Sequence, residues 1–504
     1  MIWQQLIRIA FLGTDRSAIG NDIYQAMKAH HLATDQQAEE ALLESLAYFG
    51  QRQKLGRLIQ PFEGELHTAP TEQLPTASSA SAKHLHFILN GDYQAALEEF
   101  LHYLAKAKKE LPPEALPPLL AKAQKNKRLW QQLKPILGAR AKWLIHQHPE
   151  WCTLMPEPTV ATWEEGDRAS RSAVMSAWLQ DQPEQALQQL QESWPTETAA
   201  DKKVFLELMG QHLHPAFQAF LEKTKRDKHK DARKLALELL AQLPNGLFQS
   251  EVQQLGKKLF RLDRRKLTLV LTAADLDALE EIRLEKPRKA SAYQQELGLA
   301  EQLLSIIEPT FWEQEWKVSA TAILELFAEA SAGNRWLEAL TKASLLHQNK
   351  PWAEAIVQYW LQKGLDTHWR TPNGKKLLQL LSNASFNTIT IRFLKNHFYA
   401  LEEEHMVTHL LCMGAHRWDD KLTVLIVRNM QNRLSGSNAF FVDAAIHFFK
   451  ILKVAAYHCN PNLLDTLKAG WYFKSHRWSR WEKEVENFLR ILMFRKEMLK
   501  ALKS

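Results

Sequence analysis

Lysines and arginines crowd two short stretches of this chain: Lys223, Lys225, Arg226, Lys228, Lys230, Arg233 and Lys234, and then Lys257, Lys258, Arg261, Arg264, Arg265 and Lys266. Aligned on one surface, such cations would neutralise the phosphates of a nucleic acid or the carboxylates of an acidic protein. Tryptophans nearby would offer stacking faces to exposed bases. A solvated helix face accounts for part of the pattern, because Lys230 and Lys234 fall opposite an apolar stripe, where charge is ordinary.

A second group is His405, His409 and Cys412 in LEEEHMVTHLLCMGAHRW, spaced i, i+4, i+7 and of metal-ligand type. Met406, Leu410, Leu411 and Met413 take the other side, so the same spacing describes the less buried face of an amphipathic helix. No further ligand is evident, and no metal or other cofactor is assigned. His146 with His148, and His212 with His214, stand two apart and would point away from each other on a helix. The chain has no Gly-x-x-x-x-Gly-Lys-Ser/Thr loop, no Gly-x-Gly-x-x-Gly, no His-Glu-x-x-His and no Gly-x-Ser-x-Gly. Nothing in the sequence supports an enzyme.

These residues need elements to hold them. The stretch 215–244, PAFQAFLEKTKRDKHKDARKLALELLAQLP, reads as two amphipathic helices joined by a polar turn. Phe217, Phe220 and Leu221 follow i, i+3, i+4 spacing, and Ala232, Leu235, Ala236, Leu239, Leu240 and Leu243 continue the period. Neither helix buries its stripe alone, so the unit must stack on similar neighbours, which is the logic of an α-solenoid. Helices expected at 169–179, 183–193 and 199–213 have links of only a few residues, which forces antiparallel hairpins. Farther on, helices are expected at 297–307, 311–330, 336–346, 391–403, 440–456 and 481–503, among others.

With 504 residues, 45% of them hydrophobic, and only 18 glycines, the composition suits a long, mainly α repeat array. Leu267, Leu269 and Leu271 alternate with Thr268, Val270 and Thr272, so a short strand or hairpin is expected near residues 264–275, with a buried helix start as the competing reading. The expected organisation is a helical cap over 1–60 and a flexible Pro/Ser/Thr-rich linker over 61–83. HEAT-like repeats follow over 84–262, then an insertion over 263–292 that includes a polar loop at 286–290, and a C-terminal helical domain over 293–504. A net charge of +7 is small for such a length. Cys152, Cys412 and Cys459 are odd in number and scattered, which suggests reduced cytoplasmic thiols rather than disulfides. No run approaches 18 uncharged apolar residues, so no membrane contact is expected.

WQQLIRIAFLGTDRS at 3–17, NKRLWQQLKPILGARAKWLIHQHPEW at 126–151 and the block 168–244 together resemble an uncharacterised bacterial family of HEAT-type helical-repeat proteins. LGLAEQLLSIIEPTFWE at 297–313 extends the resemblance over most of residues 1–316. Members are often encoded near MoxR-type AAA ATPases, von Willebrand factor A domain proteins and SWIM zinc-finger proteins. The resemblance implies no catalytic residue. It does imply structural roles for Asp227 in the inter-helix turn and Arg233 early in the second helix, although Ala232 stands where the pattern has a β-branched residue. The fork of Arg233 would reach turn carbonyls or an Asp of an adjacent repeat. The expectation is therefore a cytoplasmic, non-enzymatic scaffold for a protein partner, with an AAA ATPase or von Willebrand factor A protein implied by the resemblance. The alternative is a HEAT-like nucleic-acid binder that uses the clusters at 223–234 and 257–266.

Overall fold

Short polar side chains set where the helices begin. Ser78, Asn126, Asp167, Thr198, Ser291, Ser319, Asn349, Thr371 and Ser382 each accept a hydrogen bond from the backbone N–H three residues on, which satisfies a donor that the first turn leaves free. The computed structural model describes residues 2–32, 34–35, 37–55, 68–156, 158–244, 246–286, 291–365, 367–435, 442–471 and 478–503. Over these the protein is mainly α, with one two-stranded hairpin.

The chain divides into units of residues 1–68 and 69–504. The first contains helices Ile2–Leu12, Asn21–Ala29 and Ala38–Leu55, closed around Leu6, Ile9, Ile23, Met27, Ala41 and Leu42. Leu6 and Ile9 are its buried positions in the first helix, and Ala10 is exposed. Of the stretch expected as a linker, 61–67 lie outside the described residues, and Ser79–Asn90 is already helical. Just before it, Ala77 is buried and donates to the Glu110 carbonyl at 2.9 Å.

In the second unit, successive helices pack on their neighbours as in a repeat. Arg168–Asp181 packs on Ala199–Gln211, which packs on Lys230–Gln242. Farther on, Ala292–Ile306, Gly333–Leu346 and Pro372–Leu380 follow in the same way. A companion row runs through Ala320–Glu329, Lys350–Lys363, Asn383–Leu394 and Asp420–Ser435. The apolar stripes meet between the rows, where Trp312, Trp336, Trp352 and Trp360 are among the largest fully buried side chains.

Pro215–Phe217 forms a 3-10 turn that leads into the helix Gln218–Thr224, and its partner is Lys230–Gln242. Phe217, Phe220, Leu221, Ala232, Ala236, Leu239, Leu240 and Leu243 are buried as the periodicity requires, and Leu235 is partly so. The helix expected over 311–330 is two helices, Thr310–Trp316 and Ala320–Glu329. Lys317 turns left-handed at φ 55°, and Ser319 caps the restart. Likewise 391–403 divides into the end of Asn383–Leu394 and a 3-10 turn, Phe398–Glu402. Of the helix expected from 440, the described part is Val442–His458; residues 440–441, like 287–290 of the expected polar loop, lie outside the described residues.

The change of period does mark strands. β1 (Phe260–Asp263) pairs antiparallel with β2 (Lys266–Leu269), Phe260 opposite Leu269 and Asp263 opposite Lys266. The hairpin sits a few residues earlier than expected, and Ala273–Glu281 is helical under a Thr272–Asp275 capping box.

Candidate functional site

The turn between the helices of 215–244 is a polar junction rather than an open site. Asp227 accepts from Lys202 Nζ at 2.7 Å, from Trp194 Nε1 at 3.0 Å and from the His229 N–H at 2.9 Å. Lys202 is 2% exposed and lies over the Trp194 ring at 4.7 Å. Burial opposes the charge on Asp227, but the bonds from Lys202 and the His229 N–H outweigh it and hold the carboxyl below its usual range. Arg233 donates to the Asp227 and Lys228 carbonyls at 2.9 and 3.1 Å, and its other edge grips Glu285 at 2.5 Å. The turn carbonyls are as expected, but in place of the expected Asp of an adjacent repeat the acid is Glu285, 52 residues downstream.

The same device recurs along the stack. Arg168 pairs with Asp201, Arg171 with Glu197, Glu301 with Arg335 and Lys342 at 3.1 and 3.0 Å, and Asn373 donates to Glu338 at 2.7 Å. Arg171 also lies 4.3 Å from the centre of the Trp163 ring. Together with the Asp227–Lys202 and Arg233–Glu285 contacts, these links join positions 25 to 52 residues apart, on the scale of one repeat. Many of the polar side chains suited to chemistry are thus engaged in holding one repeat to the next.

Ion pairing divides the basic clusters. In the first, Lys225 is buried beside Phe248 and paired with Glu222 at 2.6 Å, so it presents nothing to a ligand. Lys230 and Arg233 share Glu285, and Lys234 lies 3.7 Å from Glu238. Lys223, Arg226 and Lys228 stay exposed without an ion pair among the described residues. In the second, Lys257 holds Glu315 at 2.7 Å. Lys258, Arg261, Arg264, Arg265 and Lys266 are all exposed, and none makes an ion pair with a described residue. Arg264 and Arg265 form the two-residue tip between β1 and β2 with φ 45° and 69°. Such a tip needs φ above zero at both positions, which suits Asn-Gly and strains arginine.

The histidine stripe comes apart. His405 caps Met406–Cys412 by accepting from the Val407 N–H at 3.2 Å and stacks on Phe393; His409 lies against Trp369, and burial pushes the Cys412 thiol up to about 11. Among the described residues, no three His, Cys, Asp or Glu side chains are placed to hold one metal ion. Nor, among them, is any helix long and apolar enough to cross a membrane.

A further site arises where the helix Trp478–Lys503 returns to Ser79–Asn90 and Leu97–Lys106. Met498 and Leu502 complete the core of residues 77–151, and Phe494 stacks on Tyr93 at 3.8 Å. The hydroxyls of Ser78 and Ser81 donate to the Ala501 carbonyl at 3.2 and 2.9 Å. Arg495, 1% exposed, forks onto Glu99 at 2.5 and 2.7 Å and donates to the Ala456 carbonyl at 2.6 Å. Arg417 reaches the same Glu99 at 3.3 Å. Beside this joint lies a cavity of about 750 Å³, whose wall carries Arg417, Arg495, Lys496, Lys500 and Lys503 against two carboxylates, Glu99 and Glu497. One signal pointed here: Arg495 interrupts an apolar line through Val485, Phe488, Ile491, Leu492, Met498 and Leu502, and a charge in that line needs a buried partner.

No curated protein and no solved structure matches the chain. A family model does, over residues 5–502, so its reach includes the repeat stack, the arginine-tipped hairpin and the returning helix. The chain belongs to that family, described as a family of unknown function, DUF5691.

Proposed function

We propose that this is a cytoplasmic, non-enzymatic scaffold that binds an acidic surface of a partner protein through the hairpin tip. The observation that carries it is the run of exposed cations at Lys258, Arg261, Arg264, Arg265 and Lys266, unpaired among the described residues in a molecule that pairs many others. Two arginines stand where the turn itself favours Asn-Gly, so their charge is what the position offers. An AAA ATPase or von Willebrand factor A protein, which the resemblance implied, is the first partner to test.

The test is affinity capture from the native cell by the full chain and by an Arg264→Asn/Arg265→Gly variant. Those substitutions favour the turn, so the variant should fold at least as well, with stability higher by about 1 to 2 kcal/mol. A specific protein captured by the parent and lost from the variant supports the scaffold. Recovery of DNA or RNA with no specific protein would replace it with the nucleic-acid reading.

A further inference from the structure

The cavity beside the returning helix is a second, independent site. Lys496, Lys500 and Lys503 stand at i, i+4 and i+7 on one face of Trp478–Lys503 and all reach its wall, where Arg417 meets them from the segment before Asp420–Ser435. Like charges at this spacing repel, and the local acids do little to relieve them. Glu99 is engaged by Arg495 and Arg417, Lys496 pairs with the exposed Asp465 at 2.9 Å, and Glu497 is one carboxylate among several cations of the wall. Lys500 and Lys503 are exposed and have no ion pair among the described residues. Basic residues in a last turn also complement the helix dipole, but that effect does not call for Arg417 across the cavity. Tyr103, Leu464, Met493 and Leu499 give the same wall an apolar part, with Met493 half exposed. A volume of about 750 Å³ suits a small molecule.

We infer that this cavity binds a small phosphate-bearing molecule, its phosphates held by Arg417, Lys500 and Lys503 and its apolar part laid on Tyr103 and Met493. Several cations converging from two elements match the charge and spread of two linked phosphates better than a single carboxylate. The walls come together only when Trp478–Lys503 sits on Leu97–Lys106, so the ligand stabilises that joint by mass action.

The probes are inorganic pyrophosphate and a nucleoside diphosphate, titrated calorimetrically into the full chain, with the thermal midpoint followed in parallel. Both should bind and raise the midpoint, the nucleotide more tightly if the apolar wall is used. Lys500→Ala/Lys503→Ala should weaken both by about tenfold or more while leaving the unliganded midpoint unchanged, since both lysines are exposed. The Arg264→Asn/Arg265→Gly variant should bind as the parent does. Absence of binding by either probe at millimolar concentration overturns the inference. So does binding that survives the double lysine variant, or binding lost in the hairpin variant, which would place the anion on the other basic surface.

Discussion

His458 shows how a single side chain reports its surroundings. Its Nδ1 donates to the His416 carbonyl at 3.0 Å, and burial, helped by the nearby Arg417, pushes its pKa down to about 4. Below about pH 6.5 the unfolded chain takes up a proton there that the native protein refuses until about pH 4. Stability is therefore lost as pH falls through this window, by on the order of 3 kcal/mol for this one group. His347, His368, His409 and His416 are shifted the same way by burial and add to the slope. Asp227, with its carboxyl held low, contributes stability that is lost only at more acid pH. Urea denaturation at stepped pH should show the limb between pH 6.5 and 4 flattened in His458→Asn by about one histidine's share. An unchanged limb would show that His458 is protonated in the native protein as readily as in the unfolded one.

Within the elements, close approach sets the requirements. Leu239 is 4% exposed, and its Cδ2 lies 3.0 Å from where Gly210 of the neighbouring helix would carry a Cβ. Leu239→Ala should cost about 2 to 5 kcal/mol in chemical denaturation, and a negligible loss would contradict the buried face. In Leu247–Leu259 a Cβ on Gly256 would stand 2.5 Å from Ile307 Cδ1 and 3.2 Å from the Trp312 ring. Helix propensity favours alanine over glycine by about 1 kcal/mol, yet Gly256→Ala should destabilise by about 1 to 3 kcal/mol because the core there has no room. A stabilised variant would mean that Ile307 and Trp312 can move aside. Helices of this kind were legible because their stripes repeat locally, as at Phe217, Phe220 and Leu221. Breaks such as Lys317 were not, since one left-handed residue followed by a capping Ser319 leaves no trace in the apolar period. The hairpin was legible from the alternating leucines, but its tip was not: Arg264 and Arg265 are poor turn formers, and sequence gave them no reason to turn.

Across the larger unit, the Glu99–Arg495 joint is one of several contacts of very large sequence separation where Trp478–Lys503 returns to the residues near 78–106. Glu99→Gln would leave the buried Arg495 without its counter-charge and should cost about 3 to 5 kcal/mol, measured as a lower denaturation midpoint. An unaffected midpoint would show that Ala456 alone satisfies the guanidinium. Sequence periodicity marks Arg495 as a charge that needs a buried partner but names neither Glu99 nor the cavity beside it, because a helix stripe says that something covers it and not which residues do. The pair is 396 residues apart. At roughly 5 to 20 residues per second of synthesis, Glu99 waits on the order of 20 to 80 seconds on the ribosome before Arg495 is made. Throughout that interval the core of residues 77–151 lacks Met498 and Leu502, which later complete it. The nascent chain thus carries an open apolar patch through most of its own translation.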